Sequence, residues 1–402
     1  MTNLPQGWKM ETLSEILSSD KYSIKRGPFG SALKKSFFVE KGIRIFEQYN
    51  PINNDPHWKR YFISHEKFQE LEAFKATEGD LLISCSGTLG KIVELPKDTE
   101  MGIINQALLK IRLNNIKILN SYFIYYFNSP IMQEKILEST LGSAIKNIAS
   151  VKILKQIEIP LPPLKEQERI VGILDESFAK IDESIKILEQ DLLNLDELMQ
   201  SALQKAFNPL KDNAKENYKL PQSWEWKSLE EISENISAGG DKPKNCTESK
   251  TAKNQIPVYA NGVNNNGLVG YTDKATIIKP SLTISARGTI GFVCIRKEPY
   301  FPIVRLISLI PCENILCLHY LYFCLNFFIA KGEGSSIPQL TIPKFKSLQI
   351  PLPPLKEQEQ IAEHLDFVFE KAKALKELYT KELKDYEELK QSLLNKAFKG
   401  EL

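Results

Sequence analysis

Two stretches of the chain carry apolar residues in steps that alternate between three and four. In the first, Ile170, Leu174, Phe178, Ile181, Ile185, Leu188, Leu192, Leu195, Met199, Ala202 and Ala206 share one helical face, the seam pattern of a coiled coil. In the second, Ile361, Leu365, Phe369, Ala372, Tyr379, Leu383, Tyr386, Leu393 and Ala397 do so, with a slip of one at Leu375. Pro162-Pro163 and Pro353-Pro354 suit a first helical turn, where a missing N–H costs nothing. Glu166 and Glu168 favour the positive helix N-terminus. Neither stretch holds an internal proline, and Asn208-Pro209 and Gly400 act as stop signals. The pattern predicts helices over 161–207 and 352–402. About 43 residues at 1.5 Å each give a rod of roughly 65 Å. Alone, each stripe would face water, so the two rods are expected to pack on each other.

Outside them the pattern shortens to runs of two to four. Leu81-Leu82-Ile83-Ser84, Ile103-Ile104, Ile256-Pro257-Val258-Tyr259 and Leu282-Thr283-Ile284-Ser285 read as strands, and Ser121–Phe127 and His319–Leu325 as helices. These regions are α/β or α+β. Both carry Ser-x-x-Gly-Thr-apolar-Gly, as Ser84 to Gly90 and Ser285 to Gly291, whose glycines permit a tight strand-to-strand turn.

The chain repeats itself. Leu4-Pro5-Gln6-Gly7-Trp8 returns as Leu220-Pro221-Gln222-Ser223-Trp224, a shift of 216. Ile159 to Glu168 (Ile-Pro-Leu-Pro-Pro-Leu-Lys-Glu-Gln-Glu) returns without change as Ile350 to Glu359, a shift of 191. That shift holds to the helix ends, where Lys205-Ala206-Phe207 returns as Lys396-Ala397-Phe398. A constant shift means no insertion or deletion in either rod, so length itself is constrained there. The first variable stretch is 25 residues longer than the second. The organisation is variable–fixed–variable–fixed, and two similar halves with pseudo-twofold symmetry would pair the rods antiparallel.

Composition adds exclusions. The 402 residues are 42% apolar and 25% charged, which is ordinary globular composition. The six cysteines (Cys85, Cys246, Cys294, Cys312, Cys317, Cys324) show no CxxC pair and no regular spacing, against a disulfide scaffold. Met1 to Pro5 lacks a signal-peptide core, and the longest apolar run, Cys317–Ala330, is too short to span a bilayer. A cytoplasmic protein with no membrane partner is expected. The net charge of +2 hides a pattern: residues 1–160 carry +4, 208–351 carry +5, 161–207 carry −5 and 352–402 carry −2. Positive globular regions joined by negative rods would place a polyanion on the globular parts.

Motifs for chemistry are missing. A DNA methyltransferase would need an Asn/Asp-Pro-Pro-aromatic tetrapeptide; Asn50-Pro51-Ile52 and Asn208-Pro209-Leu210 both fail at the third position. No GxxxxGK[ST] phosphate loop occurs. Glu225-Trp226-Lys227 resembles part of a nuclease site, but the first copy has Lys9-Met10-Glu11 there. Cys312, Cys317, His319 and Cys324 have the wrong spacing for structural zinc, and Ser86, Thr88 and Thr289 lack a His/Asp partner pattern. No catalytic or metal residue is assigned.

The duplicated Ile-Pro-Leu-Pro-Pro-Leu-Lys-Glu-Gln-Glu segment, the Lys-Ala-Phe helix ends and the repeated Leu-Pro-x-x-Trp starts together resemble a type I restriction–modification DNA-specificity (S) subunit, over essentially the whole chain. The resemblance implies two α/β (α+β) target-recognition domains in pseudo-twofold arrangement, separated by two long conserved helices packed as an antiparallel coiled coil. The divisions it suggests are 1–160 and 220–351 for the recognition domains, 161–207 and 352–402 for the helices, and 208–219 for a linker. It further implies a non-catalytic subunit in which each domain reads half of a split site on double-stranded DNA and the helices set the gap. Partners implied are two modification (methyltransferase) and two restriction (motor–nuclease) subunits in a bacterial or archaeal cytoplasm. No cofactor is expected in this chain; S-adenosylmethionine belongs to the methyltransferase, and ATP and Mg to the restriction subunit. Alternatives are an S-like subunit with a fused methylation and cleavage partner, or a coiled-coil adaptor with no DNA role.

Polar loops mixed with glycine and aromatics are the candidates for DNA contact, since Asn and Gln can bond adenine, Arg prefers guanine and Lys serves phosphate. In the first half these are Ser31, Lys34, Lys35, Gln48, Asn50, Lys59, Arg60, Ser86, Thr88 and Gln106. In the second they are Lys242, Lys244, Tyr259, Asn261, Asn264, Asn265, Asn266, Arg287 and Thr289. Lys165, Glu166, Gln167, Lys356, Glu357 and Gln358, at the helix starts, are the candidates for docking the methyltransferases.

Overall fold

Both stripes fold as helices, Leu164–Phe207 and Leu355–Lys399, of 44 and 45 residues. The computed structural model describes residues 4–138, 148, 150–207, 221, 223–329, 332–333 and 340–402; the expected linker 208–219 and the Asn208-Pro209 stop lie outside them. The chain divides into two compact units, Met1–Leu188 with Lys381–Leu402, and Glu189–Thr380, so each unit takes half of both helices.

In the first unit, strands Ile24–Arg26, Leu108–Ile111, Leu81–Ser84 and Ile92–Glu94 lie side by side in that order, all antiparallel. A five-stranded sheet runs Phe38–Val39, Phe62–Ile63, Ile43–Phe46, Gly102–Ile104, Lys75–Ala76, with its third and fourth strands parallel. The second unit repeats the four-stranded sheet as Ser233–Ala238, Ile307–Pro311, Ser281–Ile284 and Val293–Arg296. Beside it stands a three-stranded sheet of Leu268–Thr272, Ile256–Tyr259 and Phe301–Pro302, whose last pair is parallel. The helices Asn120–Asn128 and Leu318–Phe328 pack their aromatic faces into the two main cores.

The two repeated anchors prove to be partners. Lys9–Thr12 pairs with Glu158–Leu161 in the register Lys9 to Leu161, and Glu225–Ser228 pairs with Gln349–Leu352 in the register Glu225 to Leu352. The start of each variable stretch is thus tied to the strand that enters its helix, which is why two motifs with different repeat shifts recur together. Leu13 and Ile16, and their counterparts Leu229 and Ile232, are buried just beyond that pair.

The helix halves in each unit are antiparallel. In the first, Arg169 donates to the Leu402 carbonyl at 2.9 Å while Lys390 donates to Asp182 at 2.5 Å. In the second, Lys376 bonds Asp196, and Leu203 and Phe207 share a core with Ala362 and Leu365. In each case the partner number falls as the central helix advances. All seam residues predicted from the periodicity are buried or half-buried. The slip at Leu375 is explained: Leu375 is exposed, and half-buried Lys376 takes the seam position and pairs with Asp196. At the end of the central helix the deepest burial passes from the alanines to Leu203 and Phe207, whereas Ala397 stays fully buried at the end of the C-terminal one. Gly400 closes the C-terminal helix at φ +74°; a Cβ there would sit 2.1 Å from Pro5 Cγ, so a side chain is excluded on two counts.

Cys85 and Cys324 lie fully buried in the first and second cores. Burial pushes the Cys85 thiol up to about 12, and Cys324 is displaced in the same direction. A raised thiol pKa makes its stabilisation complete below the ordinary thiol range and progressively lost as pH climbs toward the folded value. Iodoacetamide at pH 8 is therefore expected to modify neither cysteine in the native chain and both after denaturation, as read by mass spectrometry. Native labelling of either would contradict this burial.

Candidate nucleic-acid interface

Strand directions decide which candidate loops meet. In the first unit Arg26, Ser84, Ile92 and Leu108 lie at one end of the four-stranded sheet. The turn 85–91, with Ser86 and Thr88, therefore emerges beside the connection 105–107, with Gln106. Cys85 N–H donates to the Ala107 carbonyl at 2.8 Å, and Asn105 N–H to the Phe46 carbonyl at 3.0 Å. The latter bond brings the loop after Phe46, with Gln48, to the same end, and Arg60 lies level with Phe46 along the paired strand. Thr88, Gln106 and Arg60 are exposed there, with Arg60 stacked 4.8 Å from the Tyr61 ring centroid. Ser86 and Gln48 are half-buried. Exposed Ser31 follows the outgoing Gly27–Gly30 segment.

The structure separates other candidates. Lys34 and Lys35 precede Phe38, which pairs with Ile63; Lys59 and Arg60 precede Phe62, which pairs with Val39. The two basic pairs thus lie at opposite ends of that ladder. Lys59 is also bonded to Glu100 at 2.7 Å, and this bond holds the Glu100 carboxyl below its ordinary value.

Asn50 is corrected. Its side chain is fully buried, accepts from Glu47 N–H and donates to the Asp55 and Trp58 carbonyls, each at 2.9 Å. With Arg44, which donates to the Pro56 and Trp58 carbonyls, it shapes the loop that leads to Lys59 and Arg60. The side chain is consumed by the backbone and is not available to a base.

The second unit gathers its candidates more tightly. Asn261 Nδ2 donates to the Val304 carbonyl at 2.6 Å, and its Oδ1 accepts from Ala286 N–H at 2.8 Å. It therefore ties the turn that holds Arg287 and Thr289 to the connection 303–306. Asn264–Gly267 turns the hairpin at the same end, with Asn265 and Asn266 at φ +49° and +51°, a conformation Asn tolerates. Arg296 supports this hairpin from below: it is buried, lies 3.6 Å from the Tyr259 ring centroid and donates to the Asn266 carbonyl at 2.5 Å. Tyr259, packed also against Tyr300, supports the loop base. Lys242 and Lys244 are exposed on the segment that leaves Gly240.

One exposed residue escaped the sequence reading. Arg305 sits at the tip of the 303–306 connection, and Ile303-Val304-Arg305-Leu306 reads in sequence as one more apolar run. The tip exists because Gly239 lets two backbones approach: a Cβ there would lie 2.6 Å from Ile303 N. Gly27 plays the same part in the first unit, beside Asn105.

The helix starts also need correction. Gln167 and Gln358 are fully buried, not on an outer face. Gln167 accepts from Leu119 N–H and donates to the Lys117 and Pro162 carbonyls, all at 2.9 Å. Gln358 repeats this with Cys317 N–H and the Ile315 and Pro353 carbonyls, at 2.8 to 2.9 Å. Each glutamine clamps a globular core to the helix that follows it. Glu357 accepts from the Trp224 indole and Glu166 from Arg169, while Lys165 and Lys356 remain exposed. Gln358→Met would strand three backbone groups, buried or partly so, and is expected to cost on the order of 3 kcal/mol. A lowered urea midpoint checks it; an unchanged midpoint would mean that the clamp is dispensable.

Among the described residues, no group of three His, Cys, Asp or Glu side chains is placed to hold a metal ion, and no helix is long and apolar enough to cross a membrane. His319 instead contacts Asp366 at 2.6 Å, the position at which Asp175 accepts from Tyr125 in the first unit.

Comparison with known proteins agrees with this geometry. The profile of the type I restriction modification DNA specificity domain matches twice, over residues 5–192 and 221–384. A putative type I specificity subunit of Mycoplasma pneumoniae is 33% identical over 54% of this chain and 56% of its own, so the chain spans little more than half of that relative. A putative type I restriction enzyme specificity subunit of Methanocaldococcus jannaschii is 24% identical over 99% of this chain and 94% of its own. Among solved structures, a chain described for complex assembly and conformational transition of the type I R-M system superposes at TM-score 0.82, with 20% identity and 100% coverage of both chains. The HsdS subunit from Thermoanaerobacter tengcongensis superposes at 0.64, with 20% identity, 99% coverage of this chain and 98% of that one. With its profile matched in both halves, the chain belongs to the type I restriction–modification DNA-specificity family.

Proposed function

We propose that this chain is the non-catalytic specificity subunit of a type I restriction–modification complex and reads a bipartite target on double-stranded DNA. Each unit takes one half-site, and the helix pair sets the unspecified gap. The observation that carries this reading is the duplicated frame with unlike tips. Both units tie the segment before the core helix to a long-helix start through an equivalent buried glutamine, yet the loops at the sheet end differ: Ser86 and Gln106 in one, Asn264–Asn266 and Arg287 in the other. Two readers held at fixed spacing are what a split site requires. The positive variable regions and negative helical segments favour DNA on the former.

Two methyltransferase subunits dock on the outer helix faces, where Ile187, Leu193 and Phe367 are 55%, 59% and 59% exposed, and at Lys165 and Lys356. Two restriction subunits complete the complex. S-adenosylmethionine, ATP and Mg belong to those partners, and the complex works in a bacterial or archaeal cytoplasm.

Adenine methylation sequenced in cells carrying this chain with its cognate methyltransferase is expected to give one gapped motif. Binding of the purified complex to that duplex should weaken steeply as salt rises. A continuous motif, or salt-insensitive association, would overturn the reading; the second outcome would favour an adaptor with no DNA role.

A further inference from the structure

We propose that Arg305, facing Arg287 across a groove, reads a guanine in the half-site of the second unit. This deepens the DNA-reading function above and rests on it. The first observation is conformational. Val304 and Arg305 both hold left-handed backbone, φ +52° and +60°, a region in which a β-branched residue is an outlier. Such strain persists only where surroundings over-determine it, and it collects at recognition sites.

The surroundings do so here. Val304 N–H donates to the Gly240 carbonyl and Arg305 N–H to the Gly239 carbonyl, both at 2.8 Å. Leu306 N–H closes the turn onto the Ile303 carbonyl at 3.1 Å, and Asn261 fixes the Val304 carbonyl at 2.6 Å. The Arg305 backbone is thus held before any ligand arrives.

The second observation is chemical. Arg305 and Arg287 line one groove of about 410 Å³, whose other walls are Ala238, Gly239, Ala286, Ile307 and the segment Leu340 to Ile342. Among the described residues, no carboxylate lines it. Among the described residues neither guanidinium has a hydrogen-bond or ion-pair partner, and Arg287 Nε is enclosed without one. Two planar forks lining a mostly apolar groove suit an acceptor pair presented edge-on. In the major groove guanine O6 and N7 form such a pair, which an arginine bonds bidentately.

The third observation is the contrast between units. The first has the same frame: Gly27 N–H donates to Leu108 O as Gly239 does to Leu306 O, and Asn105 N–H to Phe46 O as Ile303 does to Tyr259 O. Its tip carries Gln106 and Ala107, with neither in the left-handed region. Arginine at this tip is therefore a property of the second reader alone.

The test sequences adenine methylation in cells carrying the full chain, or its Arg305→Gly or Arg305→Lys variant, with the cognate methyltransferase. Glycine suits the backbone at position 305, so the melting temperature of the purified complex is expected to be no lower than that of the parent. The parent motif should contain a G·C pair in one half-site. Arg305→Gly should lose preference at that pair by about tenfold to a hundredfold, with the gap and the other half-site unchanged. Arg305→Lys, which keeps the charge and loses the fork, should also relax that position. An even loss at all sites with an unaltered motif would assign Arg305 to phosphate and overturn the proposal. So would a parent half-site pair with no G·C, or relaxation in both half-sites. A parent motif that is not bipartite would sink the specificity-subunit reading instead.

Discussion

Four residues inserted after Ile185 lengthen the unspecified gap and leave both half-sites unchanged: this is the expected result of mapping methylated adenines for such a variant. The addition is about one helical turn, roughly 6 Å at 1.5 Å per residue, against a base-pair step of about 3.4 Å. The expected change is therefore one or two base pairs. The central helix runs from the Gln167 clamp to Phe207 without interruption, and the C-terminal helix from the Gln358 clamp to Phe398. In both, the phenylalanine lies forty positions after the glutamine, which is the length constraint visible in the repeat. A single insertion also displaces the seam of one helix, so a matched insertion after Tyr386, opposite in the antiparallel register, should restore stability and keep the longer gap. An unaltered gap in both variants would refute the ruler, whereas altered half-sites would show that the helices also shape the reading loops.

Phe207→Ala and Phe398→Ala are expected to be the most damaging single substitutions in the helices. Phe398 is 3% exposed and meets Tyr122 and Tyr126 edge-on at 5.3 and 5.1 Å, while Phe207 is fully buried against Tyr320 and Phe327 at 5.7 and 5.4 Å. Removing a buried phenyl ring loses its transfer energy and leaves a cavity, about 3–5 kcal/mol together. Each phenylalanine also joins a helix end to a recognition core, so the loss should appear as a lower denaturation midpoint and a weaker grip on that half-site. Phe367→Ala is the control: its ring is 59% exposed, and little change in stability is expected. Equal midpoints for Phe398→Ala and Phe367→Ala would contradict this account of the helix ends.

Periodicity, repetition and turn chemistry were enough for much of this protein. The long helices were legible because nine or more apolar residues, spaced mostly by three and four, admit one secondary structure, and their mutual packing followed because an unpaired stripe would face water. The turn 85–91 was legible because its glycines and threonine announce it. Arg305 was not legible: its turn is imposed by Gly239, Gly240 and Asn261, more than forty residues away in sequence, on a run that by itself reads as strand. Asn50 and the two clamp glutamines misled for the related reason that a polar side chain looks the same in sequence whether water or backbone carbonyls satisfy it.

By itself, then, the sequence determined what depends on local spacing: two long helices of fixed length, two divergent regions between repeated anchors, and the family these signatures carry. The tertiary structure decided what depends on contacts distant along the chain: the pairing of the anchor strands, the burial of Gln167 and Gln358, and the loops that share one sheet end. The reason is physical. Periodicity reports which face of an element avoids water, but which backbone atoms lie within 3 Å of a given amide or guanidinium is settled only when separate strands are brought into register.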